Sequence, residues 1–155
     1  MNFKDVMSLV PTSVSILSCI EGSEVYGCTI SSLVSIDISN SSPKIIFVLK
    51  PESLVGAKIT KNMHFAISVL NSQQENLARF YSEQREPDNI TDTRWIVKDN
   101  KFAQINNACV ALCCSLNKSF NEFSGVIFVA DLCSYSIDPT YPGLIYNSRK
   151  YYQLP

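Results

Sequence analysis

Short apolar runs, some alternating with polar residues and some continuous, are separated along this chain by turn residues, and that pattern predicts strands. Val14 to Ile20 is β-rich and alternates loosely with Ser13, Ser15 and Ser18. Glu21-Gly22-Ser23-Glu24 reads as a turn and Val25 to Ile30 as the returning strand, a hairpin by composition and spacing. Ile45 to Leu49 is continuously apolar, as expected of a strand buried on both faces. Phe65 to Leu70, Ala108 to Leu116, Val126 to Tyr135 and Leu144 to Tyr151 complete the predicted strands.

Helical spacing is confined to three short stretches. Phe3, Val6, Met7 and Val10 share one face of a helix that Pro11 ends. Glu52 to Thr60 is a second, with Pro51 suited to a first turn and Lys50 just before it. Ser72-Gln73-Gln74-Glu75 has the form of a capping box opening a third through Phe80, striped by Leu77, Phe80 and Tyr81. Ser39 to Pro43 is a loop, and the polar stretch Glu83 to Thr93 is expected to be a structureless surface lid. Many strands, few helices and frequent turns predict a mainly β barrel or sandwich.

Gly27-Cys28-Thr29-Ile30-Ser31-Ser32-Leu33-Val34-Ser35 stands out. It begins with the two-residue period of a half-buried strand and ends in hydroxyls. Thr29, Ser31, Ser32 and Ser35 follow a glycine that lets backbone approach closely, a composition that suits a cradle for a flat polar ligand. The plainer reading is a Ser/Thr-rich strand end whose hydroxyls serve a turn.

Composition removes several function classes. The 155 residues suffice for one domain with a core, and 1–155 is read as a single domain. Net charge is −1 with no basic stretch, so no nucleic-acid footprint is expected. No apolar run approaches the roughly 20 residues that span a bilayer. Lys4 and Asp5 do not fit a signal peptide. Six cysteines form no C-x-x-C pair, and His64 is the one histidine, so no zinc set is readable. The thiols read as small buried hydrophobes in a reducing cytoplasm, with Cys113 and Cys114 on opposite faces of a strand. No Ser, His and Asp constellation speaks for a hydrolase. His64 is expected at the surface, and Trp95 either in the core or over a ligand edge.

Several motifs occur in a telling order: Pro11-Thr12-Ser13-Val14, the Gly27 to Ser35 stretch, Pro43 to Leu49, Ser53, Phe65-Ala66-Ile67-Ser68-Val69-Leu70, Gln74-Glu75-Asn76-Leu77-Ala78, and Leu144, Tyr146 and Tyr151. Together, from about Val6 to Leu154, they resemble the short-chain flavin reductases of the FMN-binding split-barrel family. The resemblance implies a six-stranded antiparallel Greek-key split β-barrel forming a homodimer. It implies FMN or FAD, NADH or NADPH as reductant, and a flavin-dependent monooxygenase or small electron-transfer protein as recipient. By the same resemblance Thr29, Ile30, Ser31 and Ser32 lie against the flavin ring and ribityl chain, and Thr12 and Ser13 support the ring from beneath. Ser53 contacts the phosphate, with Lys50 adding charge, or is simply a helix cap. Arg149, in the final strand, reaches a flavin phosphate, a dimer partner or only solvent. No catalytic side chain is expected, because a flavin carries its own redox chemistry.

The chain departs from this family pattern in places. Ser13 replaces a glycine, and Val55 stands where a threonine often follows Ser53. Many members carry Gly-Asp-His, whose histidine helps place the nicotinamide. Aligning Phe128-Val129-Ala130-Asp131-Leu132 puts Phe123-Ser124-Gly125 there instead. Phe120 and Phe123 are open either to stacking on a ring or to core packing. Three functions therefore stand on the sequence: a flavin reductase, a non-catalytic flavin- or haem-type carrier or sensor, and a structural dimerisation barrel without cofactor.

Overall fold

In the computed structural model, residues 1–83 and 86–155 are described. In chain order they form α1 (Phe3–Ser8), β1 (Thr12–Ser13), β2 (Ser15–Glu21), β3 (Glu24–Ile30), β4 (Val34–Asp37), β5 (Lys44–Leu49), α2 (Leu54–Asn62), β6 (His64–Val69) and α3 (Glu75–Glu83). There follow β7 (Asp88–Asn89), β8 (Trp95–Lys98), β9 (Phe102–Ile105), β10 (Val110–Glu122), β11 (Gly125–Ile137), β12 (Leu144–Asn147) and β13 (Lys150–Gln153). The fold is mainly β with three short helices, as the apolar pattern predicts. No helix among the described residues is long and apolar enough to cross a membrane.

The main ladder holds eight strands rather than six, in the order β4-β5-β11-β10-β6-β2-β3-β7. All its pairings are antiparallel. Hydrogen bonds do not close it into a barrel, yet its geometry is far from flat. β3 lies near one end and β4 at the other, and only Ser31-Ser32-Leu33 separates them in sequence. So short a link forces the ladder to curl until β3 and β5 approach. Ser32 then clasps the seam: its Oγ accepts the Val48 N–H at 3.0 Å and donates to the Val48 carbonyl at 3.3 Å.

The curl encloses a core of Leu17, Cys19, Phe47, Ile59, Phe65 and Phe128. Phe128 stacks on Phe47 at 5.1 Å, and Phe65 meets Phe47 edge-on at 5.5 Å. β2 is buried on both faces, with Leu17 in this core and Ile16 in a second one containing Leu70, Tyr81, Trp95 and Leu144. Double-sided burial is why its alternation is loose in the sequence. A bulge follows Cys113, which packs beside Ala66 and Phe102 while Cys114 joins the main core. The described chain holds six free thiols. Cys133 is exposed and Cys28 and Cys109 are half-buried, so only Cys19, Cys113 and Cys114 meet the expectation of full burial.

Four local expectations are corrected. Helix α2 begins after Pro51, with Ser53 as N-cap accepting the Gly56 N–H at 3.1 Å. The reciprocal pair before α3 is Asn71 and Gln74, not Ser72 and Glu75: the Asn71 N–H donates to Gln74 Oε1 and the Gln74 N–H to the Asn71 carbonyl, while Asn71 Oδ1 accepts from the Gln73 N–H. The final strand is two strands, β12 and β13, turned at Ser148 and Arg149, which both have positive φ. That turn docks on the end of α1 through Ser148 N–H to the Ser8 carbonyl and Asn147 Nδ2 to the Leu9 carbonyl. The Glu83 to Thr93 stretch, of which 84 and 85 lie outside the described residues, contains β7 paired on β3 and a buried Asp88. It is tied to the core, because Asp88 collects bonds from Tyr81 and Trp95. Trp95 is a core residue, and His64 is half-buried, edge-on to Phe102 at 5.9 Å.

Candidate functional site

The seam between β3 and β5 opens into a groove. A cavity of about 440 Å³ is walled by Cys28 to Ile30 of β3 and Ser31 and Ser32 just after it, Val48 and Leu49 of β5 and Lys50 just after it, Glu52 and Ser53 before α2, and Tyr81 and Ser82 from α3. Six sequence candidates meet there: Thr29, Ile30, Ser31, Ser32, Lys50 and Ser53. Thr12, Ser13 and Arg149 do not line it. Thr12 and Ser13 form β1, opposite Tyr146 and Ile145, and Thr12 Oγ1 is buried with no partner among the described residues. Arg149 is held in the β12–β13 turn by an ion pair with Asp5.

The hydroxyls divide into two kinds. Thr29 Oγ1 donates to the Ala78 carbonyl at 2.7 Å, tying β3 to α3. Ser32 Oγ is spent on the Val48 backbone. Ser31 is exposed, and among the described residues its hydroxyl has no hydrogen-bond partner, so it is open to a ligand. Ser31→Ala is therefore expected to leave stability within about 0.5 kcal/mol of the parent. Ser32→Ala, which removes both bonds to the Val48 backbone at this exposed seam, is expected to cost about 0.5–1.5 kcal/mol. Urea unfolding of both variants checks the split.

One end of the groove suits an anion. Ser53 caps α2, and the first-turn amides of Leu54 and Val55 have no preceding carbonyl in the helix to bond. Lys50 is exposed on the rim, and no carboxylate among the described residues pairs with its amine. Cys28 contributes no charge, since burial pushes its thiol up to about 12. Beyond Ser53 the groove continues into a further cavity of about 250 Å³ between Tyr26, Glu52 and Glu86.

The opposite end is aromatic. A smaller cavity of about 190 Å³ shares Thr29, Ile30, Ser31 and Ser82 with the groove and is closed by Val14, Tyr146 and Tyr151. The sequence motif contains both tyrosines, yet nothing in their spacing places them beside Ser31.

Tyr81 is the wall residue that spacing along α3 hides, because its stripe position reads as core. Its phenol donates to Asp88 Oδ2 at 2.6 Å and is held neutral well above its ordinary range, first by burial and then by that bond. Trp95 Nε1 donates to the same oxygen at 2.8 Å, and Arg94 pairs with Oδ1 at 3.1 Å. Gly27 lets β3 lie on these rings: a Cβ there would stand 3.1 Å from Tyr81 and 3.3 Å from Trp95. Phe123, at positive φ, is fully exposed at the tip of the β10–β11 hairpin, and Phe120 is partly exposed, so neither packs in the core. Gly125 sits against the groove residue Val48, where a Cβ would come within 3.1 Å.

The curled, mainly β fold thus carries a groove with Lys50, Ser53 and Glu52 at one end, the open Ser31 hydroxyl in the middle and, in the adjoining cavity, Tyr146 and Tyr151 at the other. The family model of the flavin reductase like domain matches residues 7–155, and the chain belongs to that family. It is 23% identical over 145 residues to an NADH-dependent FAD reductase of Streptomyces globisporus, covering 91% of this chain and 78% of the relative. The structure of the NADH:FAD oxidoreductase from that organism superposes with a TM-score of 0.87 at 23% identity, over 98% of this chain and 91% of that one. The styrene monooxygenase flavin reductase of Pseudomonas putida gives 0.87 at 20% identity, over 100% and 98%. The flavin reductase component of a bacterial two-component tryptophan halogenase gives 0.88 at 21%, over 98% and 96%.

Proposed function

We propose that this chain is an NAD(P)H-dependent flavin reductase that supplies reduced FMN or FAD to a partner oxygenase or another electron acceptor. The observation that carries this reading is the polarity of the groove. Lys50, Ser53 and the start of α2 would hold the phosphate, Ser31 and the β3 backbone the ring edge, and Ile30 and Tyr81 its apolar surface. Thr29 and Ser32 act indirectly, fixing β3 to α3 and to β5. Thr12 and Ser13 would act from behind Tyr146, and Arg149 through the α1 contact. Bound flavin would supply the redox chemistry by taking up a hydride and releasing electrons. The chain's own part is to bind, orient and shield, and orientation alone is worth about 7–11 kcal/mol at its upper range. The names of the relatives, an NADH-dependent FAD reductase and the reductase components of a halogenase and a monooxygenase, support the donor and the class of recipient.

In this reading residues 1–155 act as one flavin reductase-like domain. β5, β11, β10, β6, β2 and β3 form its six-stranded split barrel, and β4 and β7 are additions at the edges. The outer face of the ladder carries Ile36, Ile46, Phe120, Ile127 and Val129, together with Lys44, Asn117 and Lys118, around a cavity of about 440 Å³. A second copy covering this apolar face would complete the homodimer. Ile127→Glu is then expected to convert the dimer to a monomer in sedimentation velocity. Six free thiols accord with a reducing cytoplasm.

An anaerobic titration of the protein and FMN with NADH, then NADPH, tests the function. Bleaching of the oxidised-flavin band faster than in the protein-free mixture supports it. Bound flavin without acceleration would favour a carrier or sensor, a reading motivated by Gly125 in the histidine's place. Absence of flavin binding would refute both.

A further inference from the structure

We infer that Glu52 makes this chain prefer FMN to FAD, by setting a carboxylate where the second phosphate of FAD would leave the groove; the inference rests on the reading of that groove as the flavin site with its phosphate end at Lys50 and Ser53. The join between two cavities is the first argument. The groove of about 440 Å³ and the further cavity of about 250 Å³ share Cys28, Glu52 and Ser53. Anything attached beyond a phosphate held at Ser53 passes these residues. Burial keeps the Cys28 thiol neutral and the Ser53 hydroxyl caps α2, so Glu52 supplies the charge at the join. Glu52 is exposed, and among the described residues no hydrogen bond or ion pair engages its carboxylate.

The distribution of charge along this path is the second argument. Lys50 lines the groove and not the further cavity, where the charged residues of the described lining are Glu52 and Glu86. FMN ends in a phosphate monoester of charge about −1.5 to −2 at pH 7, all of which can face Lys50 and the first amides of α2. In FAD that phosphate is a diester with a single charge, and the second charge lies further along, toward the carboxylates. The grip of the further cavity on a base is the third argument. Tyr26 is the aromatic residue of its lining. Its ring carries the Lys58 amine 4.7 Å from the centre, and its hydroxyl donates to Glu24 at 2.8 Å. That amine is itself paired with Glu21 at 2.8 Å, so it is not free to meet a phosphate. The cavity has room for a base, and charge rather than volume sets the preference.

Calorimetric titration of the full chain with FMN, FAD and riboflavin tests this, in the parent and in Glu52→Gln. The parent is expected to bind FMN at least about fivefold more tightly than FAD, the factor that one like-charge contact in water supplies. Glu52→Gln removes the charge at nearly constant shape and should bring the two constants close together, chiefly by tightening FAD. Riboflavin, which has no phosphate, should bind both proteins alike. In steady-state turnover with NADH, the KM for FAD should fall in the variant more than the KM for FMN. Because Glu52 is exposed, added salt should narrow the FMN preference of the parent itself, a measurement that needs no variant. Equal or tighter binding of FAD by the parent would overturn the inference and leave the groove reading standing. A preference that Glu52→Gln leaves unchanged would overturn it too, as would a gain for riboflavin as large as that for FAD. If none of the three flavins binds the parent, the groove reading falls first and this one with it.

Discussion

Asp88→Ala is expected to destabilise the protein by about 3–5 kcal/mol, the range for breaking a buried charged network. The Asp88 side chain is 6% exposed and accepts from Tyr81, Trp95 and Arg94. Alanine would strand two buried donors, each costing about 1–3 kcal/mol. Arg94 would keep its pairing with Asp92, whose carboxyl it holds down at about 2, so the arginine is not the largest loss. Asp88→Asn, which retains one acceptor oxygen, should lose roughly half as much. Urea unfolding with an unchanged slope would report the difference as stability. The consequence reaches the groove, because Tyr81 both walls it and supports β3 at Gly27. A loss below about 1 kcal/mol would show that α3 is held mainly by apolar packing.

Lys50→Glu should weaken FMN binding by about 10- to 100-fold, the equivalent of one lost charge-assisted contact of 1.5–3 kcal/mol. Riboflavin, which has the same ring and no phosphate, should bind the variant and the parent alike. Because Lys50 is exposed, the FMN effect should shrink as salt screens it. Fluorescence titration of both ligands at two salt concentrations gives all four constants. Equal weakening of riboflavin would mean that Lys50 shapes the groove rather than meeting the phosphate.

The strands that carry apolar residues to a core were legible in the sequence, as were the hairpin at Gly22 and the three helices. The two-residue and 3.6-residue periods are local, and each follows from which face of an element is buried. Ser53 at the start of a helix was legible for the same reason: a cap acts within three residues. Choices between local competitors were less legible. Ser72 with Glu75 and Asn71 with Gln74 have equivalent spacing. The second pair prevails because Asn71 Nδ2 also reaches the Asn107 carbonyl and Gln74 Nε2 the Asn106 carbonyl, contacts from distant chain. Arg149 reads as strand until Ser8 and Leu9 from α1 pull its turn into place.

Site residues divide along the same line. Thr29, Ser31 and Ser32 look alike in sequence, and composition could gather them into a cradle. Which of the three remains open to a ligand depends on Ala78 and Val48, which the fold brings to Thr29 and Ser32 from other elements.

By itself, the sequence determined a mainly β chain and its family, and singled out the Gly27 to Ser35 stretch as the candidate site, because periodicity and motif order are properties of neighbours along the chain. Only the tertiary structure decided that the ladder curls until Ser32 bridges to Val48, that Asp88 anchors the groove wall, and that Tyr146 and Tyr151 stand beside Ser31. Those arrangements join residues far apart in sequence, and they are selected by the burial of apolar faces and the pairing of buried polar groups once the whole chain is packed.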